Sequence, residues 1–315
     1  MEHIKLPFTN FAQMLQGLPT DESCRLFLED LRWNGTPICP HCGVVNARHY
    51  QLKKKGVFEG LFKCKDCRKR FTVTVGTLFE GSHIGLRKWF IAMFLFASHK
   101  KGISSHQLSR DLGITQKSAW FMLSLLRNSF KPKNKVKLSG VVSCDESFIG
   151  GKEANKHASK KTKDTQGRST KTKTPVFGLL SDGQVNTEVV KDTKASTLKP
   201  IIKDMVEMGA IVVTDEWNAY NGLSADYKHE VIKHTEGQYV SNGLSTNGLE
   251  GFWSLLKRGI FGIYHQVSPK HLNKYCDEFT YRYNTRKTTD PERFVFTLFN
   301  ANERMTYKKL ISSSI

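Results

Sequence analysis

Two apolar segments that each run into an acidic pair restrict the fold of this chain more than any other feature. The first is a predicted strand over Val141–Ile149, ended by Gly150-Gly151, which is apolar until it reaches Asp145 and Glu146. In the second, residues Ile211 to Thr214 precede Asp215 and Glu216. Runs this apolar are typical of strands that are covered on both faces of a sheet. A carboxylate at the carboxyl end of such a strand is costly to bury unless a cation neutralises it. One such Asp is explained by a cap or a turn, but the repeated pattern favours a functional site.

A third acid lies on a predicted helix that begins at Asn247. Helical spacing places Asn247, Glu250 and Lys257 on one face. The opposite face carries the apolar residues Leu249, Phe252, Trp253 and Leu256. Three carboxylates delivered by strand, strand and helix can hold one or two Mg²⁺ ions and leave room for phosphate oxygens. Lys257 is either a contact to DNA phosphate or a solvated cation, and Asn247 can hydrogen-bond or ligate through its amide oxygen.

The surrounding segments predict an α/β domain over residues 138–302. Its further predicted elements are strands at Pro175–Leu180, Val185–Val190 and His229–Lys233, and helices at Thr193–Met208 (capped by Gly209), Lys270–Asn284 and Asp290–Asn302. Alternation along the first strand puts Asp145 on one face and Glu146 on the other. Residues 152–173 contain eight Lys or Arg and two acids, which predicts a basic flexible loop. This loop is either a solvated linker or a DNA clamp.

Four of the seven cysteines form two Cys-x-x-Cys pairs within residues 36–80. The pairs are Cys39 with Cys42 and Cys64 with Cys67, and thiolates at this spacing can close a tetrahedral zinc site. We therefore predict a structural zinc ribbon there, preceded by a helical lead-in over residues 1–35. The alternatives are four unrelated thiols or a redox pair. His41 lies inside the first pair and is expected to be a bystander.

Residues 85–132 show the layout of a helix-turn-helix domain. A short helix reaches Leu112, Gly113 supplies the turn, and a second helix begins after Thr115. The residues expected to be exposed on that second helix, and to contact DNA, are Gln116, Lys117, Ser118 and Arg127. The alternative is an ordinary α-hairpin in a helical bundle.

The charge balance favours a polyanionic partner. Lys and Arg number 48 against 29 Asp and Glu, a formal charge of +19, which points to nucleic acid rather than to any particular fold. The alternative is a basic protein without such a partner. The longest apolar run, Trp89 to Ala97, is about half of the ~20 residues that span a bilayer, and Met1 to Gln16 lacks the pattern of a signal peptide. We expect a cytoplasmic protein without membrane contact.

Four sequence blocks resemble those of DDE-type insertion-sequence transposases of the ISXO-like group. The blocks are Asp145-Glu146-Ser147-Phe148-Ile149-Gly150-Gly151; Thr214-Asp215-Glu216-Trp217 with Tyr220; Asn247-x-x-Glu250-x-Phe252-Trp253-Ser254-x-x-Lys257-Arg258-Gly259 with Gly262-x-Tyr264-His265; and His271-Leu272-x-x-Tyr275-x-x-Glu278-Phe279-x-x-Arg282-x-Asn284-x-Arg286. With both cysteine pairs, the resemblance covers roughly residues 10 to 300. Gly248 departs from the β-branched residue expected in this group, and a glycine costs a helix up to ~1 kcal/mol.

The resemblance implies a ribonuclease H-like mixed sheet flanked by helices, preceded by the zinc ribbon and the helix-turn-helix domain. It implies a triad of Asp145, Asp215 and Glu250 that holds two Mg²⁺ or Mn²⁺ ions, with Asn247 as an alternative ligand. Lys257 and Arg258 would contact DNA. The implied reaction is hydrolysis at each transposon end of double-stranded DNA, followed by attack of the released 3′-hydroxyl on target DNA. Two or more protomers would pair the two ends on a bacterial chromosome.

Two other classes of protein fit parts of the pattern. One is a DNA-binding regulator on an inactive ribonuclease H-like scaffold, and the other is a Mg²⁺-dependent nuclease that cuts without strand transfer. The acids discriminate between them, because a protein that only binds DNA has no use for three carboxylates at strand and helix ends.

Overall fold

The computed structural model describes residues 6–131, 136–151, 156–237, 240 and 243–312. The described chain forms two compact units, one of residues up to Ser129 together with those from Thr288 onward, the other of Phe130–Lys287. No helix among the described residues is long and apolar enough to cross a membrane.

The first unit combines a small antiparallel sheet with helices. Its elements are α1 (Phe11–Gly17), α2 (Asp21–Trp33), β1 (Tyr50–Lys54), β2 (Val57–Lys63), β3 (Arg70–Phe71), α3 (Leu86–Ser98), α4 (Ser105–Leu112), α5 (Gln116–Ser129), α9 (Asp290–Asn300) and α10 (Tyr307–Ser312). The three strands lie in the order β1-β2-β3. Thr20 caps α2 as a capping box, since its side chain accepts from the Ser23 N–H at 3.1 Å.

Helix α9 packs in the first unit, which differs from the boundary at residue 302 expected from the sequence. Its Phe294 is fully buried, with ring centroids 5.5 Å from Phe90, 5.8 Å from Phe94 and 5.9 Å from Phe8. Aromatic pairs at these separations are favourable beyond the area that they bury. An aromatic core built by α3 therefore draws in a helix from the far end of the chain, and the second unit ends at Lys287.

Helices α4 and α5 are joined by the short turn expected of a helix-turn-helix. Gly113 ends α4 in the left-handed region at φ +59°, a conformation that glycine adopts without strain. Gln116 and Lys117 are exposed and Ser118 is half-buried. Arg127 was expected to be exposed and is 2% exposed. The reason is that the last turns of α5 are buried on all sides, from Met122 to Arg127.

The second unit is a five-stranded mixed sheet flanked by helices. Its elements are β4 (Val141–Gly150), β5 (Lys173–Ser181), β6 (Gln184–Val189), α6 (Ala195–Met205), β7 (Ile211–Thr214), β8 (Lys228–Val231), α7 (Asn247–Gly259), which runs into a π-helical turn (Ile260–Tyr264), and α8 (Leu272–Asn284). The strand order is β6-β5-β4-β7-β8. Strands β4, β5 and β6 are antiparallel neighbours, whereas β7 and β8 run parallel to β4. This is the ribonuclease H-like arrangement.

Strand β4 continues well beyond the residues that pair with β7. The parallel ladder ends at Ser143 opposite Val213, while the antiparallel ladder with β5 runs on to Gly150 opposite Lys173. Asp145 therefore lies in the middle of β4, opposite Gly178. The predicted strand Val141–Ile149 is confirmed, whereas the interpretation of Asp145 as a residue at the carboxyl end of that strand is wrong. The flank of β4 that β7 leaves unpaired begins just before Asp145.

Two hydrophobic cores lie on opposite faces of this sheet. Cys144, Phe177 and Leu179 pack with α6 residues such as Leu198 and Ile202. Val176 and Val185 pack with the apolar face of α7, comprising Leu249, Phe252, Trp253 and Leu256, as predicted from helical spacing. Helix α6 ends at Met205, three residues earlier than expected, because Val206 leaves the helix to form a bridge with Leu138. Gly209 lies at φ +81° in the turn that follows.

Helix α8 covers the edge strand β6 with polar side chains. The Val185 N–H donates to Asn284 Oδ1 at 2.8 Å, and Asn284 Nδ2 donates back to the Val185 carbonyl at 2.9 Å. The Val189 N–H donates to Asn273 Oδ1 at 3.3 Å. Within the same helix a buried ion pair joins Arg282 Nη2 to Glu278 Oε1 at 2.7 Å, and the Tyr264 hydroxyl donates to that oxygen at 2.8 Å. Of these residues, Tyr264, Glu278, Arg282 and Asn284 belong to the motif blocks, and their contacts stabilise the fold.

Gly259→Ala is expected to destabilise the chain, because a Cβ at this position would lie 1.9 Å from Cζ of the buried Phe279. Overpacking of this kind costs about 1–3 kcal/mol. Gly251→Ala in the same helix is the matched control, since a Cβ there meets nothing within 4 Å and should stabilise by about 0.5–1 kcal/mol. Urea unfolding of both full-length variants measures the difference. Equal stability of the two would contradict the packing described here.

Candidate active site and zinc centre

The four ribbon cysteines converge on one point in the first unit. Their sulfur atoms all lie within 4.8 Å of one another, with Cys39 Sγ 3.7 Å from Cys67 Sγ and Cys42 Sγ 3.7 Å from Cys64 Sγ. A tetrahedral Zn²⁺ with Zn–S bonds of about 2.3 Å requires sulfur atoms about 3.8 Å apart. The four thiols therefore fit a structural zinc ion, as predicted. His41 is not part of this group, because its Nε2 is 3.0 Å from the Arg70 carbonyl oxygen.

Asp145 is held from the face of the sheet that carries α7. The Trp253 indole N–H donates to Asp145 Oδ2 at 2.9 Å, and the Glu146 N–H donates to Oδ1 at 2.8 Å. The indole reaches the carboxylate because Gly178, the partner of Asp145 in the ladder, has no side chain. A Cβ on Gly178 would lie 2.6 Å from Trp253 Cζ2. Trp253, predicted only as a core residue, is thus also a hydrogen-bond donor to the site.

Asp215 follows the last residue of β7, where the sequence placed it. Its Oδ1 accepts the Trp217 N–H at 3.0 Å, and its Oδ2 accepts from Arg168 Nη2 at 2.8 Å. Thr214 is fully buried, and its hydroxyl lies 2.9 Å from His229 Nε2 on β8. Both oxygens of Asp215 are therefore oriented by donors from two different loops.

Glu146 faces the opposite side of the sheet from Asp145, in agreement with the predicted alternation. Its side chain is 1% exposed, and Arg168 Nη1 pairs with its Oε2 at 2.5 Å while the Tyr220 hydroxyl donates to its Oε1. Arg168 belongs to the basic segment between β4 and β5, and its guanidinium lies over the Trp217 ring at 4.2 Å from the ring centroid. One arginine thus links the acid on β4 to the acid after β7.

The two acids of β4 are largely buried, and burial raises the pKa of each. Burial raises the pKa of Asp145 to about 6, an effect that the Trp253 hydrogen bond partly offsets and the nearby charge of Asp215 increases. Burial also raises the pKa of Glu146 to about 7, although the Tyr220 and Arg168 hydrogen bonds oppose the change. Desolvated carboxylates of this kind favour a cation nearby.

The remaining predicted residues lie on α7. Glu250 and Asn247 are exposed in its first turn, Lys257 is half-buried two turns on, and the exposed Arg258 donates to the Ser254 carbonyl at 3.1 Å. Among the described residues, Asp145, Asp215 and Glu250 do not form a group whose carboxylate oxygens all lie within 4.8 Å of one another. Asp145 lies near enough to Asp215 for the charge of Asp215 to raise its pKa, whereas Glu250 is exposed to solvent on α7.

Sequence reasoning missed Glu146, Arg168, Trp217 and Tyr220 as members of the site. Glu146, Trp217 and Tyr220 stand inside the motif blocks, so their positions gave a signal that was not used. Arg168 gave none, because it is one of eight cations in residues 152–173 and nothing in the sequence separates it from the other seven.

The ribonuclease H-like sheet with acids on β4 and after β7, together with a four-cysteine ribbon, defines the architecture of a DDE-type transposase. Residues 137–284 match the family profile described as ISXO2-like transposase domain, and residues 19–70 match the transposase zinc-ribbon domain. The chain belongs to the ISXO2-like transposase family.

Relatives of known sequence agree with this assignment. An uncharacterised protein in transposable element ISH50 of Halobacterium salinarum is 29% identical over 266 residues, which is 81% of this chain and 88% of that protein. An uncharacterised transposase-like protein of Haemophilus influenzae is 30% identical over 102 residues, covering 32% of this chain and 81% of the relative.

Solved structures are more distant. A pre-cleavage Mos1 transpososome aligns with 15% identity and a TM-score of 0.28 over 64% of this chain and 75% of the Mos1 chain. A Mos1 strand transfer complex gives the same identity and score over 71% and 77%.

Cys64→Ser is expected to abolish zinc binding and unfold the ribbon, because the folding of such small modules depends on their metal. Metal analysis of the purified chain should give one zinc per wild-type chain and close to none for the variant. Cys24→Ser is the control, since Cys24 is equally buried but lies outside the cluster. Full zinc content in Cys64→Ser would contradict a four-cysteine site.

Proposed function

We propose that this transposase binds the terminal inverted repeats of its own element, cleaves the ends by metal-dependent hydrolysis and joins the released 3′-hydroxyls to target DNA. The observation that carries the proposal is that Asp145, on the flank of β4 that β7 leaves unpaired, lies within the electrostatic influence of Asp215, in a chain of this family with formal charge +19. In this proposal the protein acts on the chromosome of a bacterial cell. Two or more protomers are needed to hold both ends.

The metal site is assigned to Asp145, Asp215 and Glu250, with Mg²⁺ or Mn²⁺ as the ion. The donor set suits these ions, since carboxylate oxygens are the ligands that Mg²⁺ prefers. When bound, two such ions supply activation of the attacking oxygen and stabilisation of the leaving oxygen. Because Glu250 stands apart on α7, we propose that this carboxylate joins the other two only when metal and DNA are present. Asn247, one turn before it, is the alternative ligand.

The residues of the chain provide orientation and charge for this chemistry. Trp253 and the Glu146 N–H fix the two oxygens of Asp145, and the Trp217 N–H fixes one oxygen of Asp215. Lys257, half-buried and two turns beyond Glu250, is assigned to a DNA phosphate, and Arg258 to the neighbouring backbone. Basic residues of the ribbon and the second helix of the helix-turn-helix hold the repeat.

A strand-transfer assay tests the proposal. Labelled duplexes that carry the terminal sequences of the element are incubated with the full chain, Mg²⁺ and a supercoiled target. Asp145→Asn, Asp215→Asn and Glu250→Gln should each lower the yield of joined product by about 10³-fold, a barrier increase of about 4 kcal/mol. Glu207→Gln, an exposed acid of the same unit, is the matched control and should react like wild type.

Other outcomes of this assay identify the alternatives. Cleavage without joining indicates a nuclease. Equal DNA binding by all variants without any reaction indicates a regulator on an inactive scaffold.

The proposed role of α5 gives a separate prediction. Lys117→Gln should weaken binding of the terminal duplex several-fold and lower the slope of log Kd against log salt by about 0.9, as expected for one lost phosphate contact. Lys308→Gln on α10 removes the same charge from another exposed position of the first unit and should leave the slope unchanged. Identical slopes for the two variants would argue for a plain α-hairpin.

A further inference from the structure

The guanidinium of Arg168 bridges the acid on β4 and the acid after β7, and three side chains fix its position. Glu146 pairs with one terminal nitrogen at 2.5 Å and Asp215 with the other at 2.8 Å. The Trp217 ring covers one face of the guanidinium, and this ring is fixed because its Nε1 donates to the Thr193 carbonyl at 2.9 Å. Two segments of the second unit, β4 and the stretch after β7, therefore hold this side chain directly, and a third segment, at Thr193, fixes the ring that covers it.

Both carboxylate oxygens of Glu146 accept hydrogen bonds within this arrangement. One of its oxygens accepts from Tyr220 and the other from Arg168, and its side chain is 1% exposed. With 1% of its side chain exposed, against 24% for Asp215, Glu146 is poorly placed to ligate a metal ion. Glu146 therefore fixes the position of Arg168, and the Tyr220 hydroxyl fixes the position of Glu146.

The contacts to the two acids do not use all the hydrogen-bond donors of Arg168. An arginine has five N–H donors in a planar fork, and the two acids account for two of them. The side chain is 33% exposed, so it remains accessible beside Asp215. A counter-ion that served only to neutralise Glu146 would need neither the second acid nor the stacked ring.

We propose that Arg168 binds a DNA phosphate of the substrate at Asp215, and that Glu146 and Trp217 are positioning residues that hold its guanidinium in place for that purpose. The ligand is a phosphodiester oxygen of the substrate, because a fixed and partly exposed guanidinium is the group that recognises phosphate with two parallel hydrogen bonds. The inference rests on the proposed function, since it assigns the substrate contact within the same site. It also assigns a role in DNA binding to one of the eight cations in the basic segment between β4 and β5.

The test compares Arg168→Gln, Glu146→Gln and Lys228→Gln with the wild-type chain. Lys228 is exposed at the start of β8, at the end of the sheet away from Asp215, and serves as the matched loss of charge. Two quantities are measured with the terminal duplex: the single-turnover cleavage rate at saturating protein with Mg²⁺, and the salt dependence of equilibrium binding without added Mg²⁺.

Arg168→Gln should slow cleavage by about 100-fold and lower the slope of log Kd against log salt by about 0.9. Glu146→Gln should slow cleavage to a similar extent. The double variant should be no slower than Arg168→Gln, because both changes disrupt the same Glu146–Arg168 ion pair. Lys228→Gln should match wild type in both measurements. A purely structural ion pair would leave the slope unchanged, and a wild-type rate and slope in Arg168→Gln would overturn the proposal.

Two further results keep the outcomes separable. If the wild-type chain binds the duplex but does not cleave it, the proposed function fails, whereas the slope still reports on Arg168. If thermal unfolding shows that Arg168→Gln is destabilised, Arg168→Lys replaces it. Lysine still neutralises Glu146 but lacks the fork, so slower cleavage at unchanged stability supports the proposal and a wild-type rate contradicts it.

Discussion

Placing two carboxylates in the middle of an apolar strand is the constraint on which the second unit depends. Asp145 and Glu146 point to opposite faces of β4, so no single neighbour can satisfy both. On one face the indole of Trp253 reaches Asp145, and on the other Tyr220 and Arg168 hold Glu146. The positions of α7, of the loop after β7 and of the basic segment are all tied to these contacts. Removing one donor would leave a desolvated acid without compensation, which is costly in a protein interior.

Much of this arrangement could be predicted from residue pattern alone. Apolar runs gave the strands, helical spacing gave the buried face of α7, and paired cysteines gave the ribbon. Each of these signals is local, and the structure confirms them. The pattern predicted that this strand continues past Asp145 to Ile149, but it could not show that its two neighbours stop at different places: β7 stops pairing at Ser143 while β5 continues to Gly150.

The other differences also come from contacts between distant parts of the chain. Phe294 joins an aromatic cluster with Phe8 and Phe90, so α9 leaves the unit that precedes it in sequence. Arg127 is buried although its spacing on α5 suggested exposure. Gly248 was interpreted as a cost to α7, yet a Cβ there would lie 2.3 Å from Leu180 Cδ2. The absence of a side chain at Gly248 and Gly178 lets α7 lie close enough to the sheet for Trp253 to reach Asp145.

The cover that α8 provides for β6 has a consequence for how copies of this chain can assemble. An edge strand normally offers unpaired N–H and C=O groups to any other strand. Here Asn284 takes both backbone groups of Val185, and Asn273 takes the N–H of Val189. A strand from another copy therefore cannot pair with β6 at these positions without first displacing α8. The helix thereby protects the chain from the strand-to-strand aggregation that an open edge would invite.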